Sequence, residues 1–278
     1  MKLDERELRN QKLSAEHHAE AARDLEILGY VILERVLPEE KVEALCSAFF
    51  ALLEENHERV GDNRGKQRQG GVPLPIEKPF DDPDVLANPI ALDVFRDVLQ
   101  DDLICSYFSS DTGLPGSQYQ PAHRDGSPLF PGLPVTVPPY MYEINIPLVD
   151  FRPDNGPTDI WPMSHRISDI DLTARDALER GSAAATETEI QRYVSGLNPQ
   201  PVLMPAGSLL LRDPRMWHRG TPNNSDQPRP MLSLAYHYPW YRFNSVTISG
   251  GVYDAWPEHM QRLFRFATID GRTSTEFP

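Results

Sequence analysis

Three observations predict a mainly β chain with flanking helices. From about residue 102 onward, short runs with strand character recur. Proline, glycine, asparagine and aspartate punctuate them, as in Asp154-Asn155-Gly156-Pro157, Pro205-Ala206-Gly207 and Pro222-Asn223-Asn224. The first hundred residues lack that texture and carry helical periodicity instead. Many short strands with turn signals between them give a barrel or jelly roll, with the N-terminal helices packed outside. The 278 residues, 40% of them hydrophobic, suit one domain with an ordinary core. We read 1–100 as a mostly helical support and 101–245 as the β core with an insertion at 172–198. Residues 246–278 form a C-terminal segment.

The elements follow in chain order. Residues 15–28 have helix-forming composition, with Ala21, Ala22, Leu25 and Leu28 spaced to share a face, and Gly29 ends the helix. Tyr30-Val-Ile-Leu33 is a short strand. Leu37-Pro38-Glu39-Glu40 opens a second helix, with proline in the first turn and acids at the positive dipole end. It runs to about Glu55, with Val42, Leu45, Phe49 and Leu52 on its apolar side. Residues 62–75 are glycine-rich and polar and read as a loop, and 89–99 as a third, docking helix. Strands are expected at 103–108, 140–149, 160–161, 202–204, 208–211 and 231–238. The proline-rich segment 127–139 and the polar insertion break that pattern, at places where lids are often found.

Composition excludes several function classes. A net charge of −14 disfavours nucleic acid and anionic membrane surfaces, and would attract a cationic small molecule over long range. No apolar run approaches a membrane span, and the charged N-terminus lacks a secretory signal. Cys46 and Cys105 have no metal or redox spacing and are expected as free thiols, which makes the cytoplasm the default location. No basic cluster offers a seat for a polyphosphate. A small-molecule substrate is therefore the expected partner, and the sequence does not speak to oligomeric state.

The chemistry concentrates in two places. His123 and Asp125 lie two apart in Gln120-Pro-Ala-His123-Arg-Asp125-Gly126. In extended backbone, residues i and i+2 share a face, so both can reach one ion. His18-Ala-Glu20 repeats the pattern but falls in the first helix, where such positions diverge. Far downstream, His218 precedes a turn, and Arg229, eleven residues later, opens a strand. Two imidazoles and one carboxylate are a facial ligand set for non-haem Fe(II). A following arginine suits a dicarboxylate co-substrate. The plain alternative makes His218 a turn residue and Arg229 a surface one.

Together, Gln120-x-x-His123-x-Asp125, Pro147-Leu148-Val-Asp, Asn155-Gly156-Pro157, Pro162-Met-Ser-His165, His218-x-Gly220-x-x-Asn223 and Arg229-Pro230 resemble the phytanoyl-CoA dioxygenase family. The resemblance extends from about Gly29 to Tyr238. It implies a double-stranded β-helix (a jelly-roll, cupin-like core) and a dioxygenase using Fe(II), 2-oxoglutarate and O2. It assigns His123, Asp125 and His218 as metal ligands and catalytic centre, and Arg229 as partner of the distal carboxylate of 2-oxoglutarate. Gln120 matches a co-substrate position, and Ser233 shares the strand face of Arg229. The family's usual Pro-Gly-Ser-His turn reads Pro162-Met163-Ser164-His165, so the turn geometry can differ, and His165 reads as a structural turn residue. Asp125 fills the place that halogenating relatives leave to a small residue.

The reaction implied is oxidation of a C–H bond coupled to conversion of 2-oxoglutarate into succinate and CO2. Hydroxylation is the default outcome, with desaturation, epimerisation and ring formation as variants. A small natural product or amino-acid-like metabolite fits better than an acyl-CoA, given the missing basic seat. Tyr119, Phe130, Tyr140, Tyr142, Trp217, Trp240 and Tyr241 are candidates for the substrate wall, against the ordinary reading that strand aromatics fill cores. A metal-dependent sugar isomerase or a cupin-like binding protein is the other class. Neither explains Arg229 at its spacing from His218.

Overall fold

The computed structural model describes residues 1–60, 68–70, 72, 74–125, 129–130, 133–168, 184–185, 196–241 and 244–272. Most of the expected insertion at 172–198 lies outside these, as do parts of 62–75 and 127–139. Helices α1 (Glu5–Asn10), α2 (Ala15–Ile27), α3 (Glu39–Val60), α4 (Pro83–Leu86) and α5 (Pro89–Leu99) make up the N-terminal third, with β1 (Tyr30–Leu33) and β2 (Arg68–Gly70) between them. The core strands are β3 (Ile104–Gly113), β4 (Ala122–His123), β5 (Met141–Pro147), β6 (Thr158–Ile160), β7 (Ala184–Ala185), β8 (Gln200–Pro201), β9 (Leu209–Arg212), β10 (His218–Gly220) and β11 (Arg229–His237). A C-terminal unit adds β12 (Thr247–Ser249), α6 (Gly250–Ala255), α7 (Glu258–Leu263) and β13 (Thr268–Asp270).

The strands form two open antiparallel sheets. The larger runs β1-β9-β5-β11-β3-β2 and the smaller β7-β4-β10-β6-β8. This is the jelly-roll arrangement expected. Alternation along the strands decides what each face holds. Tyr142, Ile144 and Ile146 of β5, Leu209 and Leu211 of β9, and Leu232, Leu234 and Tyr236 of β11 point outward into one core with the helices. There Phe95 of α5 stacks on Tyr142 with centroids 5.1 Å apart. The intervening residues of the same strands point toward the smaller sheet. They include Glu143, Asn145, Arg212 and Ser233, and that polar set builds the site.

The helices form where their signals lie. Ser14 caps α2 by accepting from the His17 amide at 3.2 Å. Asn88 caps α5 by accepting from Ala91 at 3.2 Å, ahead of Pro89 at the first helical position. α3 runs to Val60, past the expected end near Glu55, because Asn56-His-Glu-Arg continues without a helix breaker. Part of the expected 62–75 loop is a strand: β2 pairs with β3 at the edge of the larger sheet, placing Gly70 opposite Asp111. The strand expected at 202–204 is not formed there: β8 is Gln200–Pro201, and Met204 makes only an isolated bridge to Phe151. No described helix is long and apolar enough to cross a membrane.

Gly29 adopts φ +88°, and a Cβ there would sit 2.5 Å from His165 Nδ1. His165 is buried, and its Nε2 lies 3.0 Å from the carbonyl of Glu26, so it closes the end of α2 as a structural residue. In the same turn Met163 holds φ +68°, a left-handed conformation in the position where the family pattern has glycine. The turn is therefore kept at the cost of strain on a residue with a Cβ. Met163→Gly is expected to stabilise the fold by about 0.5–1 kcal/mol. Thermal unfolding of the two proteins checks it, and a lower midpoint for the glycine variant would contradict it.

Candidate active site

β4 and β10 are antiparallel neighbours in a register that sets His123 directly opposite His218. Their rings lie 4.4 Å apart between centroids. Asp125 follows β4, where its amide donates to the Pro214 carbonyl at 3.0 Å. Its carboxylate reaches between the imidazoles, with Oδ2 3.2 Å from His218 Nε2 and Oδ1 3.8 Å from His123 Nε2. One ligand atom from each residue lies within 4.8 Å of the other two. The backbone fixes the tautomers: Nδ1 of His123 is 2.9 Å from the Pro121 carbonyl, and Nδ1 of His218 is 3.0 Å from that of Met216. Each Nδ1–H donates to a carbonyl, which turns the Nε2 lone pairs toward the carboxylate. An N2O donor set with this orientation fits a divalent iron.

The decoy pair behaves as expected of a helix surface. His18 turns to Asp93 and Asp97 of α5, at 3.3 and 2.9 Å, and takes no part in this site.

Burial, reinforced by repulsion from His218, pushes the His123 imidazole down to about 4. Burial would raise Asp125, but His218, Arg212 and His123 hold it well below the usual carboxylate range. Both ligands are therefore deprotonated at neutral pH before any metal arrives. Because the folded pKa of His123 lies below its unfolded value near 6.5, its neutral form contributes stability above about pH 6.5. That contribution is lost as pH falls toward 4. Metal-free His123→Gln is expected to lose about 2 kcal/mol less than the parent between pH 7 and 4.5. Urea unfolding at the two pH values measures this, and equal losses would contradict it.

A buried network stands behind Asp125. Arg212, the last residue of β9, donates Nη2 to Asp125 Oδ2 at 2.5 Å and also to Glu143 Oε2, and its Nε donates to Asn145 Oδ1 at 2.7 Å. Asn145 in turn donates to Ser233 Oγ at 2.8 Å. One guanidinium thus serves two carboxylates. Burial pushes Glu143 up to about 8; Arg212 opposes that rise, while Asp125 and Asp213 add to it. Glu143, Asn145 and Arg212 were not foreseen as site residues. Their only trace in the sequence is a polar i, i+2 pair inside the apolar run 140–149 and an arginine closing Leu209-Leu-Leu211.

The triad opens into a cavity of about 490 Å³, lined also by Tyr107, Asp111, Gln120, Thr158, Met231 and Ser233. Gln120 is braced against β10, accepting from the Gly220 amide through Oε1 at 2.7 Å. Arg229 is fully buried rather than a surface residue, on the same face of β11 as Met231 and Ser233. Its Nε donates to the Gly156 carbonyl at 3.0 Å, and the guanidinium lies 4.5 Å over the Phe151 ring. A buried cation on the metal-facing side of the sheet suits the far end of a dicarboxylate.

None of the seven aromatic candidates for the substrate wall lines this cavity. Tyr142 points the other way, into the helix-facing core, by strand parity. Trp217 is fully buried with Trp161 and Ala122, with Arg124 5.0 Å over its ring, because neighbours on a strand face opposite sides. Tyr140 and Tyr241 pack edge to face at 4.7 Å, and the exposed Trp240 stacks on Tyr238. Tyr119 is exposed beneath Arg219, 4.2 Å away, and Phe130 is exposed. Among the described residues, Tyr107 of β3, absent from the expected wall, lines the cavity.

Two facing antiparallel sheets with a two-histidine, one-carboxylate cluster between them define a jelly-roll protein equipped to hold a divalent metal. The chain belongs to the phytanoyl-CoA dioxygenase (PhyH) family, whose sequence profile matches residues 26–231. It is 27% identical over 165 residues to the dioxygenase af480 of Aspergillus fumigatus, covering 57% of this chain and 45% of that protein. The chain thus spans under half the length of that relative. In fold it is similar to the non-heme alpha ketoglutarate dependent carbocyclase SnoK from nogalamycin biosynthesis. The TM-score is 0.58 at 21% identity, over 81% of this chain and 84% of SnoK. It is similar also to EvdMO1, with a TM-score of 0.58 at 19% identity, over 80% of this chain and 50% of EvdMO1.

Proposed function

We propose that the protein is an Fe(II)- and 2-oxoglutarate-dependent oxygenase that oxidises a C–H bond of a small metabolite, with hydroxylation as the default outcome. The observation that carries this is the triad itself: three ligand atoms within 4.8 Å, in the wall of a metabolite-sized cavity. His123, Asp125 and His218 would hold the iron. When bound, iron supplies oxygen activation coupled to oxidation of 2-oxoglutarate to succinate and CO2. The chain's residues do the positioning. Arg229 receives the distal carboxylate, Gln120 and Ser233 shape the co-substrate's bed, and Arg212 keeps Asp125 turned toward the histidines. Ring formation, as SnoK's name implies for that protein, desaturation and epimerisation would use the same triad with a differently held substrate.

Succinate formation tests the proposal. The purified protein with Fe(II), 2-oxoglutarate and air is expected to release succinate slowly even without substrate, and a chelator is expected to stop it. Metal binding with neither 2-oxoglutarate binding nor succinate release would favour a cupin-like isomerase or binding protein instead.

A further inference from the structure

Strand register gives the larger wall of the cavity two ends. Along β11 the residues on the cavity side are Arg229, Met231, Ser233 and Ala235, set opposite Gly113, Asp111, Ser109 and Tyr107 of β3. On its other edge Ala235 lies opposite Glu143 of β5, which lies opposite Arg212 of β9. Glu143 and Tyr107 therefore mark the end away from Arg229, about 20 Å along the strand from it. Arg212 ties that end to the triad, because its Nη2 donates both to Asp125 and to Glu143. Among the described residues this is the one hydrogen bond to the Glu143 carboxyl. It goes to Oε2, which leaves Oε1 for the cavity that the residue lines.

Resting on the proposed function, 2-oxoglutarate lies between the triad and Arg229, so a substrate meets the triad from the Glu143 end. The carboxyl itself selects the polar group it can hold. An ammonium pairs well only with its ionised form, and an anionic group only with its protonated form. A hydroxyl donates to the first and exchanges hydrogen bonds with the second. It therefore suits Glu143 on either side of a pKa that burial pushes up to about 8. The neighbouring wall is apolar: Ala235 is buried with Met141 and Tyr140, and the Tyr107 ring packs against them. An apolar group placed against the buried carboxyl would leave it unmatched, which is costly.

We propose that Glu143 is a substrate-binding residue that receives a hydroxyl group, making the natural substrate an alcohol with an apolar body. The test uses the full chain loaded with Zn(II), as a redox-silent replacement for iron, and 2-oxoglutarate. Benzyl alcohol and ethylbenzene, one shape with and without a hydroxyl, are titrated by calorimetry. Glu143→Leu is expected to weaken benzyl alcohol binding about tenfold and to leave ethylbenzene unchanged or tighter. Glu143→Gln, whose amide also donates and accepts, is expected to hold the alcohol within about threefold of the parent. In the parent, the Glu143 carboxyl carbon is followed by NMR on isotope-labelled glutamate and assigned by its absence from Glu143→Gln. It is expected to shift with benzyl alcohol and not with ethylbenzene, a readout that holds even if the leucine variant does not fold. Equal losses for both probes in Glu143→Leu, no binding of benzyl alcohol, or an unmoved carboxyl resonance overturns the proposal. The visible band that 2-oxoglutarate forms with Fe(II), recorded in parallel, separates the two readings. A band without alcohol selectivity sinks the role of Glu143 alone, and absence of the band sinks the oxygenase reading on which it rests.

Discussion

His218→Ala is expected to reduce Fe(II) affinity and succinate formation by well over 100-fold, beyond the 10- to 100-fold typical of losing a mere outer partner of a ligand. The reason is geometric. His218 is buried, its Nδ1 is fixed by Met216, and its Nε2 stands 3.2 Å from Asp125, so its loss leaves the triad with two of its three ligand residues. The fold is expected to survive, because the alanine leaves a single backbone carbonyl without its donor, at a cost of about 1–3 kcal/mol. Equilibrium dialysis against Fe(II) under nitrogen, with circular dichroism as the control for folding, measures both. Near-normal metal uptake by a folded His218→Ala protein would remove His218 from the site.

Arg212→Leu is expected to be the most destabilising single change in the cavity. It strips the shared cation from two buried carboxyl groups at once, Glu143 and Asp125. Breaking a buried ion pair from one side typically costs about 3–5 kcal/mol. Most of that cost belongs to the stranded Glu143 rather than to any intrinsic worth of the pair. The double variant Arg212→Leu/Glu143→Gln should therefore recover more than half of the loss, a non-additivity expected of groups in one network. Metal affinity should not recover with it, because Asp125 has still lost the donor that fixes its orientation. Denaturant unfolding of the single and double variants tests the first point and metal titration the second. Additive effects would show that the three groups are not coupled.

The parts of this molecule that were legible in sequence are those set by periodicity or by backbone chemistry. The helices over 15–27 and 89–99 announce themselves through composition and apolar spacing. The jelly roll follows from short strands and turn residues. His123 and Asp125 could be paired because an extended backbone puts i and i+2 on one side. Long-range register was not legible. Nothing local says that β4 lies against β10, or that Arg212 of β9 reaches across to Asp125. Parity within strands was available but unused. Tyr142 alternates with Glu143, and Trp217 with His218, so naming the polar member as cavity-facing excludes its aromatic neighbour.

The central claim is that His123, Asp125, His218 and Arg229 form one iron and 2-oxoglutarate site. Its most direct test is anaerobic addition of Fe(II) and 2-oxoglutarate to the purified protein, read by visible absorption. A metal-to-ligand charge-transfer band is expected, absent in His123→Ala and weakened in Arg229→Ala. A folded protein that binds Fe(II) yet shows no band at saturating 2-oxoglutarate would contradict it.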